Sequence, residues 1–275
     1  MAAEKSFAIV LRVVEFSETS CVVTLFTRDF GKISALAKGA RRPKSPFEAA
    51  LDLLAVCRVV FLRKSSDALD LLTEARLERR FRAATRDLAR LYSGYYLIEL
   101  LREMTDQHDP HPELFDAAVG AIAALDGEGD VTSTVLGFEM TALRLLGHAP
   151  SLDECVGCGL PVDAAGRVAF GYLAGGVLCP ACRTGQRAVV SVSGETLRIW
   201  RVFADEAAVR PVALEPKSAG ELRGVVNRYL THLLGRPPRL HGWLAGLSWG
   251  AATRGGLRPR VTPDLASDAA RYDET

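Results

Sequence analysis

Four of the six cysteines stand in two close pairs, a pattern typical of metal binding. Two residues separate Cys155 from Cys158 and Cys179 from Cys182, and twenty residues lie between the pairs. Two intervening residues let a tight turn present both sulfurs to one ion, and four thiolates complete the tetrahedral sphere of a structural Zn²⁺. The spacing therefore predicts a structural zinc site of these four cysteines, with two disulfides, free thiols or an iron–sulfur cluster as alternatives.

Four thiolates leave no open position on the metal, and a catalytic zinc usually keeps one for water or substrate. The triplet His111-Pro112-Glu113 matches half of the zinc-deaminase pattern, but no proline precedes Cys155 or Cys179. We expect Pro112 and Glu113 to open a helix instead, and we expect His148, an alternative metal ligand, to end one. No phosphate-binding G-x-x-x-x-G-K-[ST] loop and no H-E-x-x-H motif is present. We predict that the protein is not an enzyme; a zinc hydrolase or deaminase is the competing hypothesis.

Positive charge is concentrated in the first third of the chain, although the formal net charge is only +1. Residues 1–90 hold 17 Lys and Arg against 11 Asp and Glu, and the segment 28–44 holds a single acid. The six bases of that segment are Arg28, Lys32, Lys38, Arg41, Arg42 and Lys44. Such a cluster neutralises phosphates, so we expect these residues to form one salt-sensitive, sequence-independent nucleic-acid-binding surface. Most aromatic residues of this part are expected in the core, and Phe47, in the loop, is the one candidate for stacking on bases. A solvated charged face is the alternative to a binding surface.

The first eighty residues contain five runs rich in Val, Ile, Leu and Phe. They are Ser6–Phe16, Ser20–Thr27, Lys32–Ala37, Ala55–Leu62 and Ala68–Glu74. Five short strands in about seventy residues predict a small barrel of the OB-fold type, with a small sandwich as the alternative. The long connection 40–54 has an apolar end that we expect to form one or two helical turns. The two remaining cysteines, Cys21 and Cys57, lie in apolar runs and are expected to be buried.

After Arg80 the apolar residues recur at helical spacing. We predict helices beginning at Thr85, Pro112, Asp130 or Thr132, Ser193 and Ser218, the last with a Ser218–Glu221 capping box. The fold class is therefore α+β. The predicted domains are an OB-fold at 1–80, a helical domain at 81–150 and 191–250, a zinc module at 151–190 and a disordered tail at 251–275. No uninterrupted apolar run of about 18 residues could span a membrane, so we expect a soluble, cytoplasmic protein.

These segments resemble one family, the bacterial recombination mediator RecO. The run AIVLRVVEFSETSCVVTLFTRDFGKISALAKGARRPKS is similar to the family's opening strands and basic loop. DLLTEARLERRFRAATRDLARLYSGYYLIELLREM resembles its passage from barrel to first helix, and HPELFDAAVGAIAALD its helical core. The segments FEMTALRLLGHAPSLDECVGC, GGVLCPAC and NRYLTHLLGRPPRL are similar to its zinc knuckles and C-terminal element. The resemblance extends to about Leu240.

The resemblance implies a function that spacing alone does not. RecO proteins bind single- and double-stranded DNA and anneal complementary strands without ATP. With RecR they help to load RecA onto strands coated by single-stranded DNA-binding protein, whose acidic C-terminal tail they contact. It implies a DNA-binding role for the six bases of segment 28–44, a structural zinc on the four cysteines, and a site of action at the nucleoid. Some family members lack the zinc. A zinc-stabilised RNA-binding or ribosome-associated protein is the alternative.

Overall fold

The computed structural model describes residues 3–43, 45, 47, 50–64, 68–205 and 214–246. Its N-terminal part is a closed barrel of β1 (Ala3–Glu15), β2 (Cys21–Thr27), β3 (Gly31–Ala37), β4 (Val56–Leu62) and β5 (Asp70–Arg79). The strands follow the order β1-β2-β3-β5-β4, and β3 and β5 pair in parallel while the other neighbours are antiparallel. This OB-like ring confirms the predicted barrel and excludes the sandwich.

The barrel interior is filled by alternate residues of each strand, as the two-residue period of a strand requires. Ala8 and Val10 of β1 point inward with Val23, Leu25, Ile33 and Phe61, and all six are fully buried. Cys21 and Cys57 are buried in the same core, as predicted. Phe47 is also buried there, so the one candidate for base stacking that the sequence offered is not accessible to bases. The described residues of the 40–54 connection form turns and bends, and residues 44, 46, 48 and 49 lie outside the described residues, so the expected helical turns stay a prediction.

One outer side of the barrel packs on the helices. A β-bulge between Val10 and Arg12 shifts the register of β1, and Ile9 and Leu11 face the helical core. Phe26 of β2 joins them, and its ring centroid lies 6.2 Å from that of Phe115. These contacts attach this side of the barrel to the helical part.

The helical part comprises α1 (Leu88–Met104), α2 (Pro112–Asp126), α3 (Val131–Leu145), α4 (Pro180–Arg183), α5 (Gly194–Ala204), α6 (Pro216–Leu234) and α7 (His241–Gly246). Pro112 and Glu113 open α2, as expected. Asp87, not Thr85, caps α1, because its carboxylate accepts the backbone N–H groups of Ala89 and Arg90. Thr85 instead ends a 3₁₀ turn at Ala83–Thr85.

The predicted capping box of α6 is wrong. This helix begins at Pro216, which supplies the proline-favoured first position, so Ser218 already lies inside it. Glu221 reaches instead to another helix, where its carboxylate accepts the hydroxyls of Ser193 and Thr196 at 2.5 and 2.6 Å. Ser193 is the N-cap of α5. A contact between two helices therefore replaces the local one that the sequence pattern suggested.

A buried charged cluster joins three helices in the apolar core. Tyr96 of α1 and Arg223 of α6 both donate hydrogen bonds to the carboxylate of Glu139 on α3. The Arg223 guanidinium also lies 5.2 Å from the Tyr96 ring centroid. Burial raises the pKa of the Tyr96 hydroxyl well above its ordinary value, so Tyr96 remains a hydrogen-bond donor. The three side chains are buried and bonded to one another, so the cluster fixes the relative positions of α1, α3 and α6.

No helix in the described ranges is long and apolar enough to cross a lipid bilayer.

Candidate metal centre and nucleic-acid interface

A small sheet positions the four cysteines. Its strands β6 (Arg167–Gly171), β7 (Gly176–Leu178) and β8 (Val189–Ser193) lie in the order β7-β6-β8. On one face, Val168 and Phe170 of β6 enter the helical core. On the other face, Ala169 and Leu178 pack with Cys155 in a cluster of only three buried residues. One face of the sheet therefore packs in the helical core, and the other face packs mainly against the cysteine cluster.

Each cysteine pair sits on a tight turn. In the first, the N–H of Cys155 donates to the carbonyl of Leu160 and the N–H of Gly159 donates to the carbonyl of Cys155, both at 2.8 Å. In the second, Cys179 is the N-cap of α4. A Cβ at Gly157 would lie 3.0 Å from the Cys182 sulfur, so glycine at this position lets the two turns close on each other.

The sulfur geometry fits a tetrahedral metal. All four Sγ atoms lie within 4.8 Å of one another, and those of Cys158 and Cys179 are 3.8 Å apart. Metal–sulfur bonds of about 2.3 Å place tetrahedral thiolates roughly 3.8 Å apart. In the described ranges this cluster contains the four predicted cysteines and no histidine. The residues present therefore fit a zinc ion, which they would bind through four thiolates.

The electrostatics of the four sulfurs also suit a cation. Backbone N–H groups of Cys179 and Gly157 donate to the Cys155 sulfur at 3.3 and 3.4 Å. These bonds, that of Cys179 first, lower the pKa of the Cys155 thiol to about 6. The pKa of Cys182 is raised to about 12, first by its hydrogen bond with Cys179. A divalent cation bound between the sulfurs would favour the thiolate form of all four.

The histidine alternatives have other contacts. The helix α3 ends at Leu145, and the backbone N–H of His148 donates to the carbonyl of Leu143 just after Gly147 at φ 75°, so His148 takes part in the cap near Gly147, as expected. The ring of His111 lies 3.0 Å from the Asp109 carboxylate, at the start of α2. Neither histidine belongs to the cysteine cluster.

The six bases of segment 28–44 do not form one surface. Lys38, Arg41 and Arg42 are exposed in the turn after β3, which we call the basic turn (38–43). Lys44 lies outside the described residues. Arg28 and Lys32 lie near the turn that joins β2 to β3, at the end of these strands opposite the basic turn. Each strand has seven residues, which correspond to about 20 Å.

Within the basic turn, only Arg41 has an acidic partner among the described residues. Its guanidinium lies 2.9 Å from the Glu15 carboxylate, and both side chains are largely exposed, 42% and 75%. The turn is held in place by backbone bonds, from the N–H of Arg41 to the carbonyl of Thr19 and from that of Arg42 to Gly39. Exposed ion pairs contribute little, so a phosphate could compete for Arg41.

Arg28 and Lys32 contact the helical part instead of presenting free charge. Arg28 donates two hydrogen bonds of 2.9 Å to Asp116 of α2, and this pairing lowers the pKa of the Asp116 carboxyl. The Lys32 ammonium is buried and donates to the carbonyls of Arg102 and Thr105 at the end of α1. Cations stabilise the C-terminus of a helix, so Lys32 joins the barrel to α1. We therefore leave Lys32 out of the nucleic-acid interface.

Two exposed aromatic residues at the barrel were missed by the sequence analysis, Phe7 in β1 and Phe16 directly after β1, and Phe16 is 63% exposed. The Phe7 side chain on β1 is 39% exposed, and the Arg58 guanidinium lies over its ring at 5.1 Å from the centroid. The signal was available, because Ala8 and Val10 alternate inward and so place Phe7 on the outside. The alternation was not recognised because nearly the whole run Ser6–Phe16 is apolar.

The barrel, the helical part and the cysteine cluster together define an α+β protein with an OB-like domain and a possible metal centre. Two family models match this chain: "Recombination protein O N terminal" over residues 1–81 and "Recombination protein O C terminal" over residues 85–241. The chain belongs to the RecO family of DNA repair and recombination proteins.

Individual relatives agree with the family models. The chain is 45% identical over 262 residues to the DNA repair protein RecO of Rhodopirellula baltica, covering 86% of this chain and 97% of the relative. It is 35% identical over 238 residues to that of Anaeromyxobacter dehalogenans, covering 86% and 93%. It is 30% identical over 241 residues to that of Syntrophus aciditrophicus, covering 86% and 92%. The likeness therefore extends over nearly the full length of these relatives.

Proposed function

We propose that this protein is a recombination mediator that binds single- and double-stranded DNA and anneals complementary single strands without ATP. With RecR it would assist the loading of RecA onto DNA coated by single-stranded DNA-binding protein, whose acidic tail it would contact. Membership of the RecO family supports this role, as does the name of the relatives, DNA repair protein RecO. Such a protein acts in the cytoplasm, at the nucleoid.

The exposed basic turn carries the DNA-binding part of the proposal. Lys38, Arg41 and Arg42 present three cations on a short, backbone-bonded segment, and Lys44 follows them in the sequence. Contacts of this kind are made to phosphates, so they bind every sequence about equally and weaken as salt rises. Arg28 is at most a secondary contact, because Asp116 already binds its guanidinium at two points.

Annealing requires no catalytic group. Two complementary strands repel each other through their phosphates, and a protein that neutralises both strands lowers this barrier while base pairing drives the reaction. The zinc ion in this proposal is structural: with four thiolate ligands it would have no position for water or substrate. The protein would therefore act by binding, not as an enzyme.

The basic turn can be tested with Arg41→Ala/Arg42→Ala. If the wild-type protein contacts about five phosphates of a single strand, the log–log salt dependence of its affinity has a slope of about −3.5, and the variant a slope of about −2. Affinity should fall for all sequences equally. Arg183→Ala/Arg187→Ala is the matched control, since it removes the same charge from exposed positions near the cysteine centre. An affinity independent of salt, or an equal loss in the control, would refute the role of the turn.

The mediator role needs a separate experiment. The annealing rate of complementary strands coated with single-stranded DNA-binding protein should rise with added protein in the absence of ATP, and Arg41→Ala/Arg42→Ala should slow it. Competition between DNA and RNA oligonucleotides of the same sequence tests the alternative. A strong preference for RNA would favour an RNA-binding protein over the mediator.

A further inference from the structure

An open cleft lies between the barrel and α2, away from the basic turn. Its walls are mainly apolar and its volume is about 560 Å³, within the range of small-ligand sites, about 300–1,000 Å³. The residues that line it are Phe7, Val56, Phe115 and Val119, with Arg28, Asp29 and Asp116 at the polar positions. We call it the Phe7 cleft. It combines an aromatic wall with one guanidinium and two carboxylates, so it offers both hydrogen-bond donors and acceptors.

The barrel beside this cleft carries two further cations. In the strand register Phe7 of β1 lies opposite Arg58 of β4, and Arg58 lies opposite Arg76 of β5. Both arginines are exposed. Arg58 also lies 3.4 Å from the Glu78 carboxylate, an exposed pair that costs little to break. An exposed ring with two guanidinium groups in line across adjacent strands suits a ligand that has both a flat aromatic part and negative charges.

A nucleotide in a single strand has this composition. Its base can stack on the face of the Phe7 ring opposite the Arg58 guanidinium. The edge of the base can meet Arg28 and the carboxylates, and the phosphates can meet Arg58 and Arg76. Asp29 and Asp116 would repel phosphates, so the phosphates belong on the Arg58 side and the base in the cleft. A paired base in a duplex cannot enter, because its face is stacked on its neighbours and its edge is paired.

We propose that the Phe7 cleft binds one unpaired base of single-stranded DNA, with the adjacent phosphates on Arg58 and Arg76. The inference rests on the proposed function in one respect, that the chain binds DNA. It adds a second contact whose selectivity differs from that of the basic turn: the turn binds any phosphate backbone, and the cleft binds only strands with unstacked bases. The cleft thereby makes the protein favour single strands over duplex.

The test compares four oligonucleotides of equal length by fluorescence polarisation: single-stranded DNA, the same strand with abasic sites throughout, the duplex, and single-stranded RNA. Wild-type protein should bind the base-containing strand at least about fivefold more tightly than the abasic one, the lower end of what one base–aromatic stack contributes. Phe7→Ala should lose that difference while duplex affinity changes by less than about twofold. Phe7→Tyr, which keeps the aromatic face, should retain it.

The outcomes separate the cleft from the proposed function. If wild-type protein binds none of the DNA molecules, both the proposed function and the cleft assignment fail. If it binds DNA but does not distinguish base-containing from abasic strands, or if Phe7→Ala weakens single strands and duplex alike, only the cleft assignment fails. Circular dichroism and a thermal unfolding midpoint for Phe7→Ala show whether the variant is folded, and Phe7→Tyr provides the comparison if it is not.

A direct measurement of position completes the test. A single strand containing 5-iodouracil, irradiated in the complex and digested with protease, should yield a cross-linked peptide that contains Phe7. The same strand with excess duplex competitor should still cross-link at Phe7, because duplex occupies the basic turn but cannot enter the cleft. A cross-link confined to other aromatic residues would overturn the assignment.

Discussion

The cysteine centre and the basic surface of the barrel were both predicted from short stretches of sequence, but only the cysteines lie together in the structure. All four cysteines converge within 4.8 Å, in the set that their spacing predicted. The six bases of segment 28–44 separate: three are exposed in the basic turn, Arg28 binds Asp116, Lys32 is buried, and Lys44 lies outside the described residues.

The difference has a physical cause. Each cysteine pair is confined by a two-residue turn, so its geometry is decided by local backbone, and a shared metal would bring the two pairs together. A cationic side chain has no such constraint. Its partner is chosen by whatever the rest of the fold places nearby, and for Arg28 and Lys32 that is the helical part, about 70 to 90 residues further along the chain. Local spacing therefore predicts metal ligands better than it predicts charged surfaces.

The largest effect is expected at the cysteine centre. Cys179→Ser should abolish stoichiometric zinc binding, measured by elemental analysis, and lower the thermal unfolding midpoint by about 10 °C, corresponding to a loss on the order of 4 kcal/mol. The helical face of the small sheet, with Phe170 in the main core, should remain packed. The loss of ordered structure is therefore expected in the cysteine turns, and the barrel should still fold.

Cys21→Ala is the matched control for this experiment. Cys21 is buried in the barrel core, so its substitution also removes a thiol, but it should leave the zinc content unchanged. Normal thermal stability after complete removal of metal by a chelator would contradict a structural role for the ion, and with it the contrast between the two regions.

The next largest effect compares two lysines that look equivalent in the sequence. Lys32→Met should destabilise the fold by about 2–3 kcal/mol, because it leaves the buried carbonyls of Arg102 and Thr105 without their donor. Lys38→Met removes an exposed charge and should change stability by less than about 0.5 kcal/mol while reducing the salt slope by about 0.7. Urea unfolding and salt-dependent binding measure the two quantities. Equal effects of the two substitutions on DNA binding would return Lys32 to the interface.

The same distinction explains how much of the fold was predictable. The barrel strands were predicted from alternating runs such as Val23 to Leu25, and the helices from apolar residues that recur every three to four positions. Both patterns arise because residues that face the core recur with the period of their strand or helix. The details that failed depend on distant partners. Phe47 looked exposed in a polar loop but is buried in the barrel, and Glu221 looked like a cap for its own helix but binds Ser193 of another.

The Glu221 contact gives a third test, with a defined pH dependence. Although burial opposes it, hydrogen bonds from Ser193 and Thr196 hold the pKa of the Glu221 carboxyl below its ordinary value near 4.5. The stabilisation is therefore complete above the unfolded-state pKa and is lost as pH falls through the lower folded-state pKa. Glu221→Gln should cost about 1–2 kcal/mol at pH 7 and progressively less below pH 4.5.

The control for this substitution is Glu195→Gln. Glu195 lies exposed in the first turn of α5, so the loss of its charge should cost less than about 0.5 kcal/mol. If Glu195→Gln were as costly as Glu221→Gln, the effect would come from the charge near the helix N-terminus and not from the hydrogen bonds that join α6 to α5.

The smallest expected effect is a gain of DNA affinity. The carboxylate of Glu15 competes with phosphate for Arg41, so Glu15→Gln should strengthen binding of single-stranded and duplex DNA by about twofold at low salt, since an exposed ion pair contributes roughly 0–1 kcal/mol. The salt slope should steepen slightly, because one more cation becomes free to displace counterions. In an Arg41→Ala background the same substitution should have no effect, which separates release of Arg41 from a general change in charge. A gain that persists without Arg41 would mean that Glu15 weakens DNA binding through its negative charge in general and not through its ion pair with Arg41.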